Sequence, residues 1–167
     1  MFKYCGIGSR STPPEILEQI VDIGKYMATK DWLLRSGGAD GADSSFEYGC
    51  DLVKGKKEIF LPWTNFNGND SLFSHPSKSA LLLASNLYPW IKNSKGAVQN
   101  LIARNMHQVL GWLLDDPVNL VICWTPNGEE KGGTAYALKL AKSRNIRIFN
   151  LAVDQNLKDL IEEIERS

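Results

Sequence analysis

Three glycine-rich stretches lie at or after the ends of apolar runs, the third of them beyond a short polar loop, and they contain the residues best suited to binding a phosphate group. They read GIGSRS at 6–11, SGGADGAD at 36–43 and KGGTAYA at 131–137. Glycine lets a backbone approach a ligand closely, and the N–H groups at a helix start favour anions. Arg10 adds a planar set of donors and Thr134 a hydroxyl. The stretches predict an anion site, with tight turns and closely packed helix starts as the plain alternative.

Two carboxylates follow the second glycine-rich stretch at a spacing of one helical turn. Asp43 lies at the start of a predicted helix, and Glu47 lies one turn later on the same face. They could accept hydrogen bonds from ribose hydroxyls, or one of them could support N-glycosidic cleavage of a nucleotide. The structural alternative is a helix N-cap followed by a solvated face. The catalytic residues are therefore unknown, with these two as candidates.

Further candidates lie on a predicted helix and after two predicted strands. Arg104 and Asn105 interrupt an apolar helical stripe, which indicates an inward polar role, whereas His107 is expected at the helix surface or half-buried. Trp63 and Trp124 follow strands and could stack on a base or pack in the core. The complete set of candidate ligand-binding residues is Gly8, Ser9, Arg10, Ser36, Gly37, Gly38, Asp43, Glu47, Trp63, Arg104, Asn105, Trp124, Gly132, Gly133 and Thr134.

Composition and charge narrow the classes of function. The 167 residues suit one domain, and 19 basic residues balance 19 acidic ones, so no overall field attracts nucleic acid or an anionic membrane. Three cysteines without a CxxC spacing and only two histidines predict neither a disulfide framework nor a metal site. We expect no metal and no cofactor. The sequence contains neither a signal-peptide pattern nor a membrane-spanning apolar run, so a cytoplasmic protein is expected.

The pattern of apolar runs predicts the elements that position these candidates. Five runs resemble buried strands: FKYCGIG, WLLRSG, KEIFLP, NLVICW and IRIFNL. Helical periodicity lies between them, and strand–helix alternation implies an α/β fold with a five-stranded, mainly parallel sheet and helices on both faces. Residues 64–93 are loop-rich and predict an insertion or lid, or a helical run that covers the sheet.

The ordered motifs GIGSR, SGGADGAD with FE, FLPW, ARN, and GGTAYALKLA with IRIFNL resemble the SLOG superfamily over about residues 3–150. They are most similar to its YspA/YpsA-type and DprA/Smf-type branches. The resemblance implies that residues 1–167 form a single Rossmann-like, doubly wound domain that binds a nucleotide or a nucleotide-derived ligand at the strand ends. It also implies the pocket residues, namely Gly8 to Arg10, Ser36 to Gly38, Asp43, Glu47, Arg104, Asn105 and Gly132 to Thr134.

One motif departs from the pattern of a catalytic branch of the superfamily, and this departure affects the expected function. The related LOG-type phosphoribohydrolases have a PGGxGTxxE pattern, and Ala137 stands here where their glutamate would lie. The resemblance therefore favours non-catalytic sensing or sequestration of a nucleotide-derived ligand, such as an ADP-ribose-type or cyclic nucleotide signal. A nucleoside-monophosphate N-glycosidase and a DprA-like single-stranded DNA-binding module are the alternatives.

Neutral charge favours a small nucleotide-type molecule over nucleic acid as the partner. The apolar stretches VLGWLLDDP and LLLASNLYPW also predict a homo-oligomer. No membrane partner is expected.

Overall fold

A five-stranded, all-parallel sheet forms the centre of the computed structural model, which describes residues 1–167. The sheet has the order β3-β2-β1-β4-β5, and every neighbouring pair is parallel. All five predicted strands are confirmed. The strand order reverses between β1 and β4, and ligands bind at such a point in open α/β sheets. The strands are β1 (Lys3–Gly8), β2 (Leu33–Ser36), β3 (Lys57–Ile59), β4 (Leu120–Trp124) and β5 (Arg147–Asn150).

Six α-helices cover the two faces of the sheet. They are α1 (Pro14–Thr29), α2 (Ala42–Leu52), α3 (Lys78–Leu87), α4 (Gly96–Leu110), α5 (Thr134–Ser143) and α6 (Asp154–Arg166). Apolar residues of α1, α2 and α6 form the core on one face, and those of α3, α4 and α5 form the core on the other. The predicted α/β, Rossmann-like, doubly wound architecture is confirmed.

The segment 64–93 contains α3, flanked by the 3-10 turns Phe66–Gly68 and Pro89–Asn93. Ala80, Ala84 and Ile91 are fully buried in the core that α4 also joins. The helical run predicted here is therefore present, and it packs against α4. The role of a lid stays a prediction.

Both apolar stretches that suggested self-association keep exposed side chains. Leu113 is 76% exposed and Leu82 is 62% exposed, and Trp90 and Trp112 are also partly open to solvent. The homo-oligomer stays a prediction.

The second half of helix α4 is enclosed on all sides, since every residue from 102 to 110 is buried. Such helices are normally apolar all round. This one contains four buried polar residues, namely Arg104, Asn105, His107 and Gln108. Each of them requires a hydrogen-bond partner, because burying an unpaired polar group is unfavourable.

The side chain of His107, in α4, bonds to the segment 64–93. It is only 1% exposed, so its expected surface or half-buried position is wrong. Its Nε2 accepts a hydrogen bond from the Ser77 N–H at 3.0 Å, which leaves Nδ1–H to donate to the Gly111 carbonyl at 3.0 Å. The ring stacks on Phe60 and Trp112. A neutral imidazole therefore holds the residue that caps α3.

This arrangement predicts a loss of stability in mild acid. Burial lowers the pKa of His107 below its usual value, so protonation favours the unfolded state. Its stabilising contribution is present above pH about 6.5, the unfolded pKa, and is lost as pH falls below that value. We expect the decrease in Tm between neutral and mildly acidic pH to become smaller in His107→Gln. Thermal unfolding, monitored by circular dichroism at both pH values, measures this difference.

The exposed His75 provides the matched control for this experiment. His75→Gln should keep the pH dependence of the wild-type Tm. An equal pH dependence in His107→Gln and the wild type would contradict the assignment.

Candidate functional site

An open pocket of about 410 Å³ brings the three glycine-rich stretches together. It lies beside the carboxyl ends of β1 and β4, where the strand order reverses. Its volume falls within the range of small-molecule sites. The lining residues are Ile7, Gly8, Ser9, Arg10, Ala39, Asp43, Leu101, Ile102, Arg104, Asn105, Gln108, Lys131, Gly132, Gly133 and Thr134.

The first wall follows β1. A Cβ on Gly8 would lie 2.7 Å from the Cβ of Ala42 and 2.8 Å from the Trp124 carbonyl oxygen, so only glycine lets α2 approach this strand so closely. The Ser9 N–H donates to the Trp124 carbonyl at 3.1 Å, and the Ser9 hydroxyl bonds to that of Ser11 at 2.8 Å. Arg10 is exposed at the rim, and its guanidinium makes neither an ion pair nor a hydrogen bond with the protein. It is free to contact an anion.

Asp43 changes the interpretation of the second glycine-rich stretch. The side chain is 4% exposed, and its Oδ2 accepts a hydrogen bond from the Ala39 N–H at 3.3 Å. This carboxylate therefore accepts from the backbone of the loop where the sequence suggested that a phosphate would bind, beside Gly37 and Gly38. Helix α2 makes no side-chain cap bond at its start, so Asp43 is not its N-cap.

The pKa of Asp43 is raised to about 6, because burial disfavours the charged carboxylate. The positive charge of Arg104 and hydrogen bonds from the backbone of Ala39, Gly8 and Gly37 act in the opposite direction. A buried carboxyl group with a raised pKa inside a pocket is typical of functional sites.

Arg104 and Asn105 bond α4 to the second and third glycine-rich stretches. Arg104 donates through Nε to the Asn105 Oδ1 at 2.9 Å, and through Nη1 to the Gly37 carbonyl and to the Phe60 carbonyl at 3.4 Å. The Asn105 Nδ2 donates to the Gly133 carbonyl at 2.8 Å. Both side chains are 6% exposed, which confirms their predicted inward orientation.

The third wall is open at the start of α5. Gly132 has φ 69°, a left-handed conformation that favours glycine, and a Cβ on Gly132 or Gly133 would meet no atom within 4 Å. Lys131 is exposed beside them and pairs with Glu129. The backbone here is therefore accessible to a ligand from solvent.

Two polar candidates lie outside the pocket. The Ser36 hydroxyl is fully buried and donates to the Gly6 carbonyl at 2.6 Å, which holds β2 against β1. Glu47 accepts hydrogen bonds from Lys57 at 2.9 Å and from Asn69 at 2.9 Å near β3. The expectation that Glu47 shares the pocket with Asp43 is therefore corrected, and of the two candidate catalytic carboxylates only Asp43 lines it.

Neither tryptophan lines the pocket. Trp63 is 39% exposed and packs edge-on against Phe66 with 5.2 Å between the ring centres. Trp124 packs against the core that contains α1 and α2. Gly37 and Gly38 also stay out of the lining, behind Asp43 and Leu61. Any stacking of a base on these tryptophans would need a second contact surface outside the pocket, and their binding roles stay predictions.

Gln108 lines the pocket, although it is absent from the candidates inferred from sequence. It lies four residues after Arg104, so the two side chains share one helix face. That spacing is the signal that could have identified it.

The structure contains no group of three or more His, Cys, Asp or Glu side chains close enough to hold a metal ion. None of its helices combines the length and apolar character that crossing a membrane requires.

No protein-family model and no curated protein matches the sequence. Two solved structures of DNA processing protein A (DprA) share the fold. The Helicobacter pylori protein, whose single-stranded DNA binding mode has been described, is 17% identical with a TM-score of 0.56, covering 89% of this chain and 64% of that one. The Streptococcus pneumoniae protein is 14% identical with a TM-score of 0.59, covering 98% of this chain and 56% of that one.

These similarities support the Rossmann-like fold. The chain spans less than two thirds of the length of either DprA protein.

Proposed function

We propose that the chain is a DprA-like member of the SLOG superfamily whose pocket binds a nucleotide unit of single-stranded DNA. The observation that carries the proposal is the meeting of GIGSR, SGGADGAD and KGGT at one pocket, at the strand reversal of a DprA-like fold. For this reason, and because a protein with the same fold binds single-stranded DNA, we prefer nucleic acid to the small-molecule partner that the neutral charge favoured.

The rim of the pocket suits a phosphate. Arg10 supplies an unpaired guanidinium, the Ser9 hydroxyl lies beside it, and Gly132 and Gly133 leave the backbone at the start of α5 accessible. Attraction to phosphate is therefore local, because the chain has a formal net charge of zero. We expect a salt dependence that corresponds to few phosphate contacts.

A free nucleotide-derived ligand is the second candidate, and the shape of the pocket favours it. The pocket holds about 410 Å³ and is bounded on one side by the buried side chains of Asp43, Arg104 and Gln108. Such a site suits a single nucleotide, including an ADP-ribose-type or cyclic nucleotide signal. Sensing or sequestration of such a signal would use the same rim.

Arg10→Ala is expected to weaken binding of a short single-stranded oligonucleotide by about tenfold. A charge-assisted hydrogen bond contributes about 1.5 kcal/mol, and about 1.4 kcal/mol corresponds to tenfold in affinity. The slope of log affinity against log salt should fall by about 1, because one phosphate contact is lost. Fluorescence anisotropy at several salt concentrations measures both quantities.

Arg144→Ala removes an exposed arginine that does not line the pocket, and it should bind like the wild type. Competition with mononucleotides and ADP-ribose distinguishes the two candidates. If a free nucleotide binds in an Arg10-dependent way and the oligonucleotide does not, the second candidate replaces the first. If neither ligand binds the folded protein, both proposals fail.

A further inference from the structure

Gln108 is the one buried polar side chain of α4 that has no hydrogen-bond partner in the protein. Arg104, Asn105 and His107 all bond to neighbouring groups. Gln108 is 2% exposed, and its carboxamide makes no hydrogen bond. Nevertheless the N and O atoms of the carboxamide are not sealed from solvent. Because the side chain lines the pocket, the carboxamide must be reached from there.

Gln108 shares the inner end of the pocket with two charged groups. A Cβ on Gly37 would overlap the Gln108 Nε2 and would lie 2.7 Å from the Arg104 Nη1 and 2.8 Å from the Asp43 Oδ2. The three functional groups therefore surround one Cα atom. We name Asp43, Arg104 and Gln108 the polar floor.

Packing alone does not account for glutamine at this position. A buried carboxamide without a partner is unfavourable, whereas an apolar side chain of similar size would lose nothing by burial. The residues beside it on α4, Val109 and Leu110, are apolar and buried. The arrangement is explained if a ligand supplies the missing hydrogen bonds.

The chemistry of the polar floor favours a base edge over a phosphate. The positive charge of Arg104 is opposed there by the carboxylate of Asp43, so the floor exerts little net attraction on an anion. Arg104 uses Nε and Nη1 within the protein, which leaves its Nη2 as a further donor. A carboxamide presents a donor and an acceptor side by side, the pattern that pairs with adenine N6 and N7.

We propose that Gln108 recognises the edge of an unpaired nucleobase and determines which base the pocket prefers, with adenine favoured. The phosphate of the same nucleotide then lies at the rim beside Arg10. This inference rests on the proposed binding of a nucleotide unit, and it adds the orientation of that unit and the source of its specificity.

Binding of short homopolymers of dA, dC and dT to the full chain tests the inference by fluorescence anisotropy. We expect the wild type to bind oligo(dA) at least about fivefold more tightly than oligo(dT), because a good base-edge pair discriminates by that amount or more. In Gln108→Leu the difference should fall to within about twofold, while the salt slope is retained.

Gln108→Glu replaces the amide donor with an acceptor. Because a carboxylate accepts from the amino group of cytosine, the preference should move towards oligo(dC). Gln108→Met, which has a similar length and no amide, is the second variant if the leucine variant does not fold. Gln19→Leu makes the same change on the exposed face of α1 and should keep the wild-type preference.

The outcomes separate this inference from the proposed function. Equal affinity for the three homopolymers in the wild type, or an unchanged preference in Gln108→Leu and Gln108→Met, would overturn the role of Gln108. Arg10-dependent binding would then still support the proposed function. Loss of both, with no binding of any oligonucleotide or mononucleotide, would overturn the two together.

Discussion

Gly49→Ala is expected to destabilise the protein by about 3 kcal/mol, the upper part of the range for overpacking a tightly packed site. A Cβ at this position would overlap the carbonyl oxygen of Val21 and would lie 3.0 Å from the backbone nitrogen of Lys25. These are backbone atoms of α1, so no side-chain rotation relieves the contact. Helices α1 and α2 would have to separate, and the core between them would loosen.

Gly96→Ala is the matched control, because a Cβ there would meet no atom within 4 Å. It lies in the first turn of α4, where alanine reduces the freedom of the unfolded chain, so stability should be unchanged or higher by about 0.4–1 kcal/mol. Urea unfolding at equilibrium measures both variants. A Gly49→Ala protein as stable as the wild type would show that the two helices tolerate a wider separation.

The architecture could be predicted because each element has a local signal. The apolar runs before GIGSR and before SGGADGAD form parallel strands β1 and β2, and the proline pair at 13–14 begins α1. The predicted end of a helix is less accurate where the apolar pattern continues beyond the helix. The pattern after Lys95 extends to Leu114, yet α4 ends at Leu110, because Gly111 adopts a left-handed φ of 79°.

The parts of the site that follow directly from strand ends could also be predicted. Residues 8–10 and 132–134 line the pocket because they come immediately after β1 and at the start of α5. Glu47 illustrates the limit. It shares a helix face with Asp43, but four residues of helix advance about 6 Å along the axis. That displacement places Glu47 beside Lys57 and Asn69.

The strand order explains why Trp63 lies away from the pocket. It follows β3, which lies at the edge of the sheet and two strands away from β1. Periodicity identifies strands without giving their order, so convergence of their ends could be assumed but not established. Gln108 has a weaker signal than Trp63 or Glu47, because its spacing of four residues from Arg104 is what marks it as a pocket residue in the buried half of α4.

Arg104→Met is expected to cost about 3 kcal/mol or more of stability at pH 8, since it leaves the Asp43 carboxylate buried without its neighbouring positive charge. The cost should shrink as the pH falls. In the wild type the pKa of Asp43 is about 6, above its unfolded value, so its contribution to stability is fully present below the unfolded pKa and is lost as pH rises through about 6. Without Arg104, which lowers that pKa, the loss extends to higher pH.

Asp43→Asn combined with Arg104→Met supplies the decisive comparison. The amide cannot ionise, so the double variant should recover part of the stability that the single variant lost at pH 8. Its stability should also depend less on pH between 5 and 8 than that of Arg104→Met. Urea unfolding of the wild type, both single variants and the double variant gives the coupling energy between the two side chains. A coupling near zero would mean that the hydrogen bonds of Arg104 to the Gly37 and Phe60 carbonyls, rather than its charge, hold the polar floor together.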